Sequence, residues 1–254
     1  MSPQLQSLPL KSMDPSALTI AILDECAGMG GAGHRQVYRA ISDASFLHRH
    51  QTRANRGNLP RTSYIEHPLR NALRLLRWGA TDPNLVAAAV LHDVIEDCDV
   101  DIIRHFLDLD PTDMPRTERR SRAVEWMQST HGAVVADLVL AVTNPLAEPG
   151  LSRAYRNIVY ASHVVAKING SAAVFLIKLA DFVDNACSLH HNAADDRTGM
   201  VERLATKYLP LVPHFLDALD GHSHCLLELL SAGSPEAIRD QLEGAGRRLE
   251  LLAA

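Results

Sequence analysis

Nowhere in these 254 residues do apolar side chains run unbroken for the ~18 positions that a membrane helix requires. Near the start, the apolar run extends only from Ala17 to Leu23, and a single Lys precedes residue 30. That is too little for a secretory leader. No membrane association is expected, and a cytoplasmic setting is. Cysteine is scarce: Cys26, Cys98, Cys187 and Cys225 are the four, and no two form a CxxC pair. This argues against a disulfide scaffold or a thiol-based zinc ribbon, and the four are read as reduced thiols. Excess positive charge is also missing. Lys and Arg total 25 against 30 Asp and Glu, a net charge of −5. Such a chain has no global pull toward nucleic acid. Internal repeats, low-complexity tracts and period-two runs of β-branched residues are absent as well.

What is present is an apolar fraction of 46% with 22% charged residues, enough for a sizeable core. Apolar residues recur at three- and four-residue spacing almost throughout, so the expected fold is all-α. Helices are expected over 15–28, ended by the Gly30-Gly31-Ala32-Gly33 break, and over 34–52 and 65–78. Asp82-Pro83 opens the next, an N-cap followed by a first-turn proline, and the pattern carries it to about Asp97. Further helices are expected at 99–108, 120–129, 132–143, 152–168, 171–189, 198–220 and 234–252. The polar stretch 108–121 reads as a surface insertion. The organisation expected is an N-terminal extension over 1–33, one main helical domain over 34–220, and a C-terminal extension over 221–254.

Thirteen histidines direct attention to metals and acid–base chemistry. Three segments stand out. Ala88-Ala89-Val90-Leu91-His92-Asp93 leads into Glu96-Asp97. An adjacent His-Asp pair in an apolar helix is costly unless a cation compensates the carboxylate. Read as one continuous helix, His92 and Asp93 point about 100° apart and both reach one ion, with Glu96 and Asp97 stacked on the next turn. Tyr64-Ile65-Glu66-His67-Pro68 places a histidine at a helix start. In Lys178-Leu179-Ala180-Asp181 with Asn185, a cation, a carboxylate and an amide fall on one helix face. The remaining histidines carry less weight: His48 and His50, beside Arg49, are read as solvent-facing, as are His190 and His191. Trp78 and Trp126 fit helix packing.

His67, the His92-Asp93 pair and the distant Asp181 together resemble the HD phosphohydrolase signature. More narrowly, the four ordered motifs resemble the hydrolase domain of the RelA/SpoT stringent-response proteins and their stand-alone small alarmone hydrolases. The matching residues are Tyr64-Ile65-Glu66-His67-Pro68, His92-Asp93 with Glu96-Asp97, Gly132 leading to Val142-Thr143, and Lys178-Leu179-Ala180-Asp181 with Asn185. The match covers roughly residues 40–220. It implies that His67, His92, Asp93 and Asp181 ligate one cation, Mn²⁺ by family habit, although affinity order alone would favour Zn²⁺. It implies that Glu96 and Asp97 position and deprotonate the attacking water. Arg53, Lys178, Asn185 and Ser188 would hold the nucleotide and its phosphates. The implied reaction is metal-dependent release of the 3′-pyrophosphate from guanosine (p)ppGpp-type alarmones.

Some positions depart from the resemblance and bear on the substrate. Ala54 stands where the family has a Lys beside Arg53, with Arg56 or Arg61 as substitutes. Phe182 follows Asp181 where bifunctional relatives have Arg. The stretch 108–128 is longer than in the small hydrolases. An adenosine alarmone, NADPH or a nucleoside triphosphate therefore stays open as substrate. So do homo-oligomerisation and a role as an antitoxin that neutralises an alarmone-synthetase toxin.

Overall fold

In the computed structural model, residue 5 and residues 7–53, 60–146, 150–190 and 199–254 are described. The chain is helical, as the spacing of its apolar residues requires. The helices are α1 Pro15–Glu25, α2 Gly30–Leu47, α3 Glu66–Arg77, α4 Pro83–Leu91, α5 Val94–Asp97, α6 Asp99–His105 and α7 Arg116–His131. They continue with α8 Ala133–Val142, α9 Arg153–Gly170, α10 Ala172–Ala186, α11 Met200–Tyr208, α12 Leu211–Gly221, α13 Ser223–Leu229 and α14 Ser234–Ala253. Two short strands, β1 Thr52–Arg53 and β2 Thr62–Ser63, pair in a ribbon.

The chain divides into two compact units. One contains Met1–Arg53 and Ser63–Thr143, and the other contains Asn144–Ala254. In the first unit α4 is the hub. Leu85 to Leu91 are all buried, so every side of α4 meets protein. It packs against α2, α3 and α8. Its start follows from local chemistry, since the Asp82 carboxylate accepts from the Asn84 amide at 2.9 Å and Pro83 occupies the first turn. The close approach of α2 explains one glycine. A Cβ on Gly33 would sit 3.1 Å from Pro83 Cγ and 3.2 Å from Met29 Cβ. The glycine run expected to end the first helix instead lies within the opening of α2, where tertiary packing overrides weak helix propensity.

In the second unit, α10 carries the core, with Phe175 and Phe182 against Phe215 of α12 at ring separations of 6.2 and 4.7 Å. The Ser152 hydroxyl accepts from the Tyr155 amide at the start of α9, and Ser171 accepts from Val174 at the start of α10. The helix expected over 198–220 is two helices, α11 and α12, because Leu209 and Pro210 interrupt it. Among the described residues, no helix is long and apolar enough to cross a membrane.

Candidate metal centre and active site

The helix expected to run from Asp82 to Asp97 breaks at His92-Asp93. The cause is visible in the side chain of His92. Its Nδ1 lies 2.9 Å from the Ala89 carbonyl, the acceptor that the Asp93 amide would use in an unbroken helix. A carbonyl only accepts, so Nδ1 carries a proton and donates. In the neutral ring, Nε2 then presents its lone pair to Asp93 Oδ2, 3.0 Å away. His67, in the first turn of α3, brings its Nε2 to 3.8 Å from the same oxygen. One ligand atom each from His67, His92 and Asp93 lies within 4.8 Å of the others.

Facing lone pairs repel unless a proton or a cation stands between them. The donor set, two imidazole nitrogens and a carboxylate oxygen on largely buried side chains, therefore fits a divalent cation. Burial works against the Asp93 carboxylate, but positive charge on the His92 and His67 rings, present when they are protonated, and the Tyr64 hydroxyl outweigh it and hold its pKa well below the usual carboxylate range.

Behind these donors stands a layer that sequence reasoning missed. Tyr64 Oη donates to Asp93 Oδ2 at 2.5 Å. Burial, then the charge of Asp93, pushes its phenol far up, so it stays a donor. The His48 ring packs on the Tyr64 ring at 4.8 Å and is fully buried. His48 was expected to face solvent. Instead, the end of α2 turns it inward, where Nδ1 meets Gln51 Oε1 at 2.8 Å. Desolvation lowers its pKa, so it is a neutral ring. Tyr64 lay within a noted motif without a role, and only its contact with Asp93 assigns one. His48, three residues before Gln51, gave no periodic signal.

Glu96 and Asp97 fall on the turn after Asp93, with both backbone amides bonded to the Asp93 carbonyl at 3.1 and 2.9 Å. Partial loss of hydration, together with the charges of Asp93 and Glu96, raises the Asp97 carboxyl to about 6. That value suits a group exchanging protons near neutrality. Arg53 stands over the ring of the site's tyrosine, its guanidinium 5.4 Å from the Tyr64 ring centre. Ala54 and Arg56 lie outside the described residues, as does His191.

The remaining expected site residues belong to α10 or its end, in the second unit. There Asn185 Nδ2 donates to Asp181 Oδ1 at 2.6 Å, which confirms their shared helix face. Lys178 is buried. The Ser188 hydroxyl donates to the Asp184 carbonyl at 3.0 Å. Thus the first unit by itself assembles His67, His92, Asp93, Glu96, Asp97 and Arg53, while Asp181, Lys178, Asn185 and Ser188 belong to the second unit.

No protein-family model matches the chain. Among curated proteins, it is 28% identical over 202 residues to the mouse guanosine-3′,5′-bis(diphosphate) 3′-pyrophosphohydrolase MESH1, covering 79% of this chain and 93% of the relative. The human counterpart gives the same identity and coverage. A probable guanosine-3′,5′-bis(diphosphate) 3′-pyrophosphohydrolase of Mycoplasma pneumoniae is 30% identical over 138 residues, but the chain spans only 16% of that longer protein. The chain is thus similar to stand-alone RelA/SpoT-like hydrolases along most of their length. A likeness of fold accompanies these matches. A solved structure described as a metazoan ortholog of SpoT that hydrolyses ppGpp superposes with a TM-score of 0.52 at 21% identity, covering 84% of this chain and 94% of that one.

Proposed function

We propose that this chain is a divalent-metal-dependent hydrolase that removes the 3′-pyrophosphate from guanosine (p)ppGpp-type alarmones. One observation carries the reading. Two imidazoles and a carboxylate converge within 4.8 Å, with two further carboxylates on the adjoining turn. The 3′-pyrophosphohydrolase names of the mouse and human relatives give the substrate class.

His67, His92 and Asp93, with Asp181 as fourth ligand, hold the cation, which we take to be Mn²⁺. When bound, that ion lowers the pKa of water and offsets phosphate charge. Glu96 and Asp97 orient the attacking water and accept its proton. The water oxygen bonds to the phosphorus attached to the ribose 3′-oxygen. The bond from that phosphorus to the 3′-oxygen breaks, and the oxygen leaves as a hydroxyl after taking up a proton. Asp97, with its raised carboxyl, can pass that proton on. Arg53, Lys178, Asn185 and Ser188 hold the nucleotide and its phosphates. We assign the chemistry to residues 34–220, with 1–33 and 221–254 as extensions.

The test is release of pyrophosphate and of inorganic phosphate, read separately, by purified protein with Mn²⁺, offered ppGpp, ppApp and NADPH in parallel, with Asp93→Ala as control. Release from ppGpp that the control lacks is the expected result. Ala54, where the resemblance places a Lys, is the reason ppApp belongs in the panel. Turnover of NADPH alone, or of none of the three, overturns the alarmone reading.

A further inference from the structure

Five carboxylates fall between Asp93 and Asp101: Asp93, Glu96, Asp97, Asp99 and Asp101. No Lys or Arg interrupts them. A substrate bearing several phosphates would be repelled by this stretch unless cations arrive from elsewhere. They arrive from α7, which packs across α5 and α6 and lies in the longer-than-expected segment after Asp108.

Three arginines of the first turns of α7 meet the acidic stretch, each differently. Arg119 is fully engaged. Its Nε donates to Asp99 Oδ2 at 2.9 Å and its Nη1 to the Met114 carbonyl at 2.6 Å. Arg120 is half-buried, within electrostatic reach of Glu96, Asp99 and Arg116. Arg116 is exposed, and its Nη2 donates to the Glu96 backbone carbonyl at 3.3 Å. Among the described residues, no carboxylate lies within ion-pair distance of Arg116. Its charge is therefore uncompensated, yet its guanidinium sits beside the backbone of the residue assigned to the attacking water. The Glu96 amide in turn bonds to the carbonyl of Asp93, so the guanidinium is one turn from the metal-binding carboxylate.

We propose that Arg116, assisted by Arg120, forms a phosphate-binding, specificity-determining pair that takes a substrate phosphate other than the one attacked. The proposal rests on the function put forward above for the same site. A guanidinium presents paired donors that match phosphate oxygens, and it stays charged at every working pH. Arg119 braces the pair by tying α7 to the start of α6.

The test is steady-state kinetics of wild type, Arg116→Gln and Arg120→Gln on guanosine 3′,5′-bis(diphosphate) and on guanosine 3′-diphosphate, which lacks the 5′-phosphates. Loss of one charged hydrogen bond predicts a KM raised about tenfold in Arg116→Gln with little change in kcat. A rise on the first substrate alone assigns the pair to the 5′-diphosphate. A rise on both assigns it to the departing pyrophosphate. Unchanged KM on both, or a fall in kcat alone, overturns the proposal. If wild type turns over neither compound, the hydrolase reading fails separately, and calorimetry with inorganic pyrophosphate then decides. Binding weakened about tenfold in Arg116→Gln upholds the phosphate site, and equal binding overturns it. Arg119→Gln serves as the folding control, with a lowered Tm expected from the loss of its Asp99 partner.

Discussion

The hydroxyl of Tyr64 donates to the same Asp93 oxygen that faces His67 and His92. It therefore sets the direction in which that carboxylate presents its remaining lone pairs. Partners of this kind typically contribute 10–100-fold to metal affinity. Tyr64→Phe is expected to weaken Mn²⁺ binding by about that factor, read by competition with a chelator, and an unchanged affinity would remove Tyr64 from this role. His48 supplies a pH dependence. Desolvation lowers its pKa in the folded chain below the ordinary 6.5, so the unfolded chain takes up the proton first as pH falls. Its contribution is fully present above about 6.5 and is lost as pH drops below that value. Urea midpoints at about pH 7.5 and about pH 5.5 should differ less in His48→Gln than in wild type. An identical difference would show that other groups govern the acid limb.

At the scale of elements, one hydrogen bond decides how the centre is built. An apolar run from Leu85 to Leu91 reads as helix, and nothing in the spacing marks its end, so the pattern carries the helix on to Asp97. The end comes from His92, whose side chain reaches back to the Ala89 carbonyl. The resulting turn presents Asp93 toward the two imidazoles and starts α5 afresh. The helix crossing is set with similar economy, since Gly33 lets α2 approach Pro83. Gly33→Val is expected to destabilise the first unit by about 1–3 kcal/mol, because its branched side chain meets Pro83 and Met29 in a packed crossing. Thermal denaturation checks this, and an unchanged or raised Tm would show that α2 can shift away freely. The segment after Asp108 was expected to be a surface insertion, and its opening is polar and exposed. Beyond residue 121, where a helix was expected at 120–129, α7 buries Ala123, Trp126 and Met127 in the unit's core.

At the scale of the whole molecule, metal binding and folding are linked. A cation held by His67, His92 and Asp93 binds the folded chain, since folding brings His67 of α3 to the His92-Asp93 break between α4 and α5. Mn²⁺ at about a hundredfold excess over its Kd should stabilise the protein by about 2.7 kcal/mol. Calorimetry is expected to show a Tm rise with Mn²⁺ that Asp93→Ala lacks, and an equal rise in that variant would place the ion elsewhere. The sequence by itself determined the all-α class, the cap at Asp82, and the candidate donors, because capping, periodicity and donor chemistry are local properties of residue order. Only the tertiary structure decided which donors meet. It turned His48 inward, broke the helix at His92-Asp93, set Tyr64 on Asp93 and laid the arginines of α7 beside Glu96. The break rests on a side-chain bond three residues back, which apolar spacing does not register, and the other outcomes depend on packing and hydrogen bonds between residues some 16 to 29 positions apart.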